Sequence, residues 1–132
     1  MGAVLAESKN FLITNEYEKV FLNSKNNNRK IYIGDFYGDP QAAVISSDER
    51  FCVMVGCGLI IYYIEEPFEE FSYNTSTSQW KELFRQRGKE WWIEDIEILN
   101  YSTIMFSVEE VDVENGGRYK MRLDSTEPIK CT

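Results

Sequence analysis

Histidine is absent from the 132 residues. That removes Ser-His-Asp and Cys-His nucleophile pairs, and with them the one side chain that ordinarily titrates near neutrality. Cysteine is scarce, and Cys52, Cys57 and Cys131 form no CxxC pair. An odd count without regular spacing is no disulfide framework, and a structural zinc site without histidine would need four thiolates. Cys52 and Cys57 stand in apolar sequence, which raises a thiol's pKa and leaves it inert. The expectation is buried, reduced cysteines, with no metal and no cofactor. No apolar run reaches the eighteen or so residues that span a bilayer. The most apolar stretch, FCVMVGCGLIIYYI at 51–64, is interrupted by Gly56 and Gly58, and those glycines belong to neither a GxGxxG nor a GK[ST] phosphate loop. The start, MGAVLAESKN, has no basic n-region, and Ala6 stands where a myristoylation signal wants Ser or Thr. The expected address is the cytoplasm.

Basic residues are outnumbered, 14 to 22, which leaves a net charge of -8. The mean field of such a chain repels phosphate, so neither nucleic acid nor an anionic membrane is an expected partner, whereas a basic protein is attracted. Apolar content of 43% and aromatic content of 14% are those of a folded protein. The length suits a single domain, 1–132, that buries roughly two-thirds of its unfolded surface.

Strand signals dominate what is present. Lys19–Leu22, Ile31–Phe36, Gln41–Ser46, Phe51–Val55 and Leu59–Ile64 read as strands, separated by NSKNNNRK at 23–30, Gly38-Asp39-Pro40, Ser47–Arg50 and Gly-Cys-Gly. Phe51–Val55 is apolar on both parities, as a strand covered on both faces must be. One helix is expected near 76–88. Ser76 to Gln79 has capping-box spacing, Trp80, Leu83 and Phe84 recur at i, i+3, i+4, and Arg85, Arg87 and Lys89 lie where they would favour the dipole. Trp91–Leu99, Thr103–Val108, Val111–Glu114 and Tyr119–Leu123 read as four more strands, the last two as a hairpin about Asn115-Gly116-Gly117. The first twenty residues are ambiguous between strand and helix. The expected class is mainly β (α+β): an antiparallel meander, curled into a half-barrel or layered with one helix. The strand rhythm of 31–64 matches one propeller blade, and a single blade cannot close a propeller.

Charge is concentrated in two blocks. Residues 31–70 carry eight acidic side chains and one basic, and residues 90–114 carry eight acidic and none basic. One reading is a solvated surface whose carboxylates pair with the intervening basic segment. The other is a patch for a basic partner, built on Glu65, Glu66, Glu69 and Glu70 around Phe68, and on Glu94, Asp95 and Glu97 beside Trp91 and Trp92. Adjacent strand residues face opposite ways, so one tryptophan points from the core unless both faces are covered. An exposed tryptophan ringed by carboxylates has the composition of an interface anchor for Arg or Lys. The candidate contact residues are therefore the seven acidic side chains just named and Trp91.

The stretch GDPQAAVISSDERFCVMVGCGLIIYYIEEPF, with Gly56-Cys57-Gly58-Leu59 leading into Tyr62 and the later Trp91-Trp92-Ile93-Glu94, resembles small acidic bacterial immunity proteins of contact-dependent growth inhibition and other polymorphic toxin systems. The likeness covers about half the chain and is one of strand rhythm. It implies a cytoplasmic protein that binds and blocks one cognate toxin domain, often a cationic nuclease, and it carries no contact residue over. Two other classes stay open. A small-molecule or peptide-binding module would line its pocket with Tyr62, Tyr63, Tyr73 and Trp91, and an acid–base enzyme would use a pair of the many carboxylates. No catalytic residue is singled out, and the expectation is a binding protein without catalysis.

Overall fold

The computed structural model describes residues 2–75 and 77–131; Met1, Ser76 and Thr132 lie outside them. Among the described residues, twelve strands form three four-stranded antiparallel sheets, each a meander in which every strand pairs with its neighbour in sequence. The first sheet holds β1 (Gly2–Glu7), β2 (Phe11–Glu16), β3 (Lys19–Ser24) and β4 (Lys30–Asp35). The middle sheet holds β5 (Ala42–Ile45), β6 (Phe51–Gly56), β7 (Gly58–Tyr63) and β8 (Trp80–Leu83). The third holds β9 (Ile93–Asn100), β10 (Thr103–Val108), β11 (Gly117–Arg122) and β12 (Ile129–Lys130). Mainly β is thus the class.

The middle sheet is an interior layer. Cys52, Met54, Ile60 and Tyr62 pack with Ile13, Leu22, Ile31 and Ile33 of the first sheet. The opposite parity, Phe51, Val53, Val55, Leu59 and Ile61, packs with Ile93, Ile104, Phe106 and Met121 of the third. Apolar residues on both parities of β6 and β7 are what allow two cores to share one sheet. The first strands of the three meanders are neighbours, β1 beside β5 and β5 beside β9. The sheets therefore stack like three successive propeller blades in an arc. Closed propellers need about four blades or more, and the two outward faces here are polar. Lys30 and Glu16 pair on one, and Arg118 and Glu97 on the other.

The expected helix is not formed, and no helix occurs among the described residues. Trp80–Leu83 pairs with β7 from Tyr62↔Trp80 to Leu59↔Leu83. Alternation wins over the helical spacing because both neighbouring cores want a side chain. Trp80 stacks on Tyr62 at 6.2 Å in the first core, while Leu83 and Phe84 pack in the second. Phe84, at φ 59°, ends the strand. Ser76 of the expected cap lies outside the described residues.

Val111–Glu114 is likewise no strand. β10 pairs with β11 across a loop spanning 109–116, and Val111 and Val113 are exposed. Asp112 dictates this: its Oδ1 accepts the amides of Glu114 and Asn115 at 3.2 and 2.9 Å, and its carbonyl accepts Gly116 N–H at 2.7 Å. A Cβ on Gly116 would stand 2.7 Å from that carbonyl, so the closure needs glycine. The ambiguous N-terminus resolves into the β1–β2 hairpin, with a register shift between Val4 and Ala6.

Candidate partner-binding surface

At one end of the stack the β6–β7 turn, Gly56-Cys57-Gly58, meets the chain entering the third sheet. Gly58 takes φ 93° and donates its N–H to Trp91 O at 2.8 Å, and Cys57 bridges to Trp92. This backbone link fixes the parity of the two tryptophans. Trp91 shares the side of Ile93 and enters the second core, stacked on Phe84 at 4.4 Å and tilted against Tyr119 at 4.9 Å. Trp92 points the other way and is 41% exposed. It meets the ring of Tyr37 edge-on at 6.3 Å, and Tyr37 is itself 76% exposed. The outward member of the pair is Trp92, and Trp91 is a packing residue.

The acidic loop starts beside it, because Glu109 N–H donates to Trp92 O at 2.9 Å. Glu109, Glu110, Asp112 and Glu114 surround Val111 and Val113, which are 82% and 98% exposed, and the loop carries no basic side chain. The bonds from Asn115 and Glu114 hold the Asp112 carboxyl below its ordinary value, so it stays charged. On the other side of Tyr37 lies a recess of about 370 Å³ lined by Glu18, Asp35, Cys57, Tyr73, Arg85, Arg87 and Glu90. Arg85 is a strut there, whereas Arg87 adds an exposed guanidinium. Arg85 donates to Asp35 O at 2.6 Å, pairs with Glu82 at 3.0 Å and lies between the rings of Phe36 and Tyr73. Burial, with Glu90 adding to it, raises the Cys57 thiol, and burial raises Cys52 further. Both thiols stay protonated at neutral pH. Among the described residues, no three His, Cys, Asp or Glu side chains gather so as to hold a metal ion.

The two acidic blocks read from the sequence lie apart. Glu65, Glu66, Glu69 and Glu70 belong to the segment between β7 and β8, which runs along β4, the outermost strand of the first sheet. Phe71 N–H donates to Tyr32 O at 2.9 Å, and Glu70 accepts Tyr32 N–H at 2.6 Å. Glu66 pairs with Arg29 at 2.9 Å, and Glu69 accepts the Thr77 hydroxyl at 3.1 Å. Three of these four carboxylates are engaged by the chain's own fold. Glu94, Asp95 and Glu97 lie exposed on β9, the innermost strand of the third sheet, with Glu97 paired to Arg118 at 3.0 Å.

The aromatic residues of the small-molecule reading are also separated. Tyr62 is in the first core, Tyr63 and Trp91 pack against the second, and Tyr73 is exposed. Sequence reasoning passed over Tyr37 and the 109–114 loop. The available signals were a tyrosine within the turn-forming Phe-Tyr-Gly-Asp-Pro, and four carboxylates around two valines beside a glycine pair. No protein-family model matches the chain, and no curated protein matches it in sequence.

Proposed function

We propose that this protein is an immunity protein: it binds a cognate basic toxin domain, of the nuclease type, and neutralises it by occupying the surface the toxin would lay on nucleic acid. The observation that carries the reading is the exposed Trp92–Tyr37 pair, joined through the Trp92 carbonyl to an acidic loop with two outward valines. Aromatic anchors beside unpaired carboxylates suit a cationic partner. The charges steer the encounter, and desolvated rings and valines hold the complex. Glu94 and Asp95 on the adjoining β9 extend the same negative field.

The test is whether this chain's gene follows that of a large secreted toxin and, where it does, co-expression with that toxin's C-terminal domain. The expected result is restored growth, lost in the Trp92→Ala, Tyr37→Ala double variant although that variant remains folded. Continued killing in the presence of folded, well-expressed wild-type protein overturns the reading. Binding by the purified pair should weaken about thirtyfold or more for Trp92→Ala, the loss of about 2 kcal/mol typical of an interface anchor.

A further inference from the structure

A second cleft lies away from Trp92, between the inner strands of the middle and third sheets. It encloses about 610 Å³ between Val44–Asp48 on one side and Ile96–Tyr101 on the other. Both bordering strands are sheet edges: β5 pairs only with β6, and β9 only with β10. Their backbone groups can be assigned by alternation. Leu123 N–H donates to Ser102 O, so β10 sends the amides and carbonyls of Ile104 and Phe106 to β11 and those of Met105 and Ser107 to β9. On β9 the partners of those two are Glu97 and Asp95. The N–H and C=O groups of Ile96 and Ile98 therefore face the free edge. By the same rule, Ser46 N–H bonded to Phe51 O leaves the backbone of Ala43 and Ile45 on the free edge of β5.

Charge restricts what can pair there. Asp48 and Glu97 are among the lining residues and no lysine or arginine is; Glu97 pairs with Arg118, which lies outside the lining, and β9 adds Glu94 and Asp95. Two copies of this chain joined along β9 would bring their carboxylates together, which disfavours such pairing. A strand bearing lysine or arginine meets the opposite situation. Apolar walls from Val44, Ile45, Ile96 and Ile98 suit its alternate side chains.

We infer that the β5–β9 cleft is a strand-addition site for an extended, alternating basic segment of a protein partner, which pairs with the backbone of Ile96 and Ile98. The site is separate from the Trp92 surface and does not depend on the partner being a toxin. A complex using both would grip its partner at the end of the stack and along its inner margin.

The probe is an octapeptide of alternating lysine and valine with blocked ends. It is titrated to about 1 mM, a range that detects weak docking, into the ¹⁵N-labelled full chain. The expected result is shifted resonances at Ile96, Ile98, Ala43 and Ile45, with amide exchange at Ile96 and Ile98 slowed about fivefold or more. The glutamate–valine octapeptide and a lysine–valine octapeptide N-methylated at alternate amides should leave those signals in place. Glu97→Lys, exposed and joined only to the exposed Arg118, should weaken the response about tenfold with the spectrum otherwise intact. No response at Ile96 and Ile98, an equal response to the acidic or methylated peptide, or shifts there that depend only on protein concentration would overturn the inference. Shifts confined to Trp92 and 109–114 would also overturn it, while leaving the immunity reading untouched.

Discussion

The middle and third sheets share a topology and differ in what they face. Every residue of β6 and the first five of β7 are buried, whereas β9 is exposed at Glu94, Asp95 and Glu97 and covers a core with Ile93 and Ile96. An interior layer has no free face on which to place charge, so both parities must be apolar. A covering layer keeps one face wet and can carry carboxylates at the edge of its first strand. The same meander thus serves as packing material in the centre of the stack and as a one-sided cover at its margin.

The largest test of that difference removes neighbouring side chains that face opposite cores. Ile60→Ala and Ile61→Ala should each cost about 2–5 kcal/mol by urea denaturation, and should do so equally although one cavity opens toward the first sheet and the other toward the third. In β10 the pair Phe106 and Met105 should behave unequally. Phe106→Ala should cost about 3–5 kcal/mol, while Met105→Ala, on the outward face, should stay within about 1 kcal/mol. Equal costs at Phe106 and Met105 would deny that the third sheet is a one-sided cover.

The turn joining the two sheets comes next. A Cβ on Gly58 would fall 2.0 Å from Arg85 Cγ and 3.1 Å from Leu83 O, at a φ of 93°. Arg85 is held by Asp35 O and Glu82 and cannot yield freely. Gly58→Ala should destabilise by about 3 kcal/mol or more. Since Gly58 N–H bonds Trp91 O, the Trp92 fluorescence environment should change with it.

The smallest effect concerns acid. Burial raises the Glu49 carboxyl, but the Ser8 hydroxyl and the two Asn10 donors reverse this and hold it below its ordinary 4.5. A depressed carboxylate contributes stability that is complete above its unfolded pKa and is lost as pH falls through the folded one. Wild-type protein should therefore lose more stability than Glu49→Gln on going from about pH 6 to about pH 3, as read by urea midpoints. Parallel losses would detach the clasp between the first and middle sheets from Glu49.

Much of this frame was legible in the chain. The two-sided pattern of Phe51–Val55 announced an interior strand, and Thr103–Val108 has the bounds of β10. The rest failed for local reasons. Trp80, Leu83 and Phe84 have helical spacing, yet they serve two cores, and a short segment's period cannot reveal two destinations. Val111 and Val113 alternate like a strand, but a single aspartate ties their backbone into a loop. Charge counting found the acidic blocks and could not tell that Arg29, Tyr32 and Thr77 engage three carboxylates of one of them. Of the Trp pair, only the link to the Gly56–Gly58 turn decides which ring faces water.

The most direct measurement is the association rate constant between this protein and the basic toxin domain that the proposed function requires, followed by stopped flow from about 50 to 500 mM salt, where the Debye length shrinks from about 14 to 4 Å. The rate should fall about tenfold or more while dissociation changes little, and replacing Glu109, Glu110 and Glu114 with glutamine should remove most of that dependence. An association rate indifferent to salt, or one unchanged by those three substitutions, would contradict an acidic surface centred on Trp92.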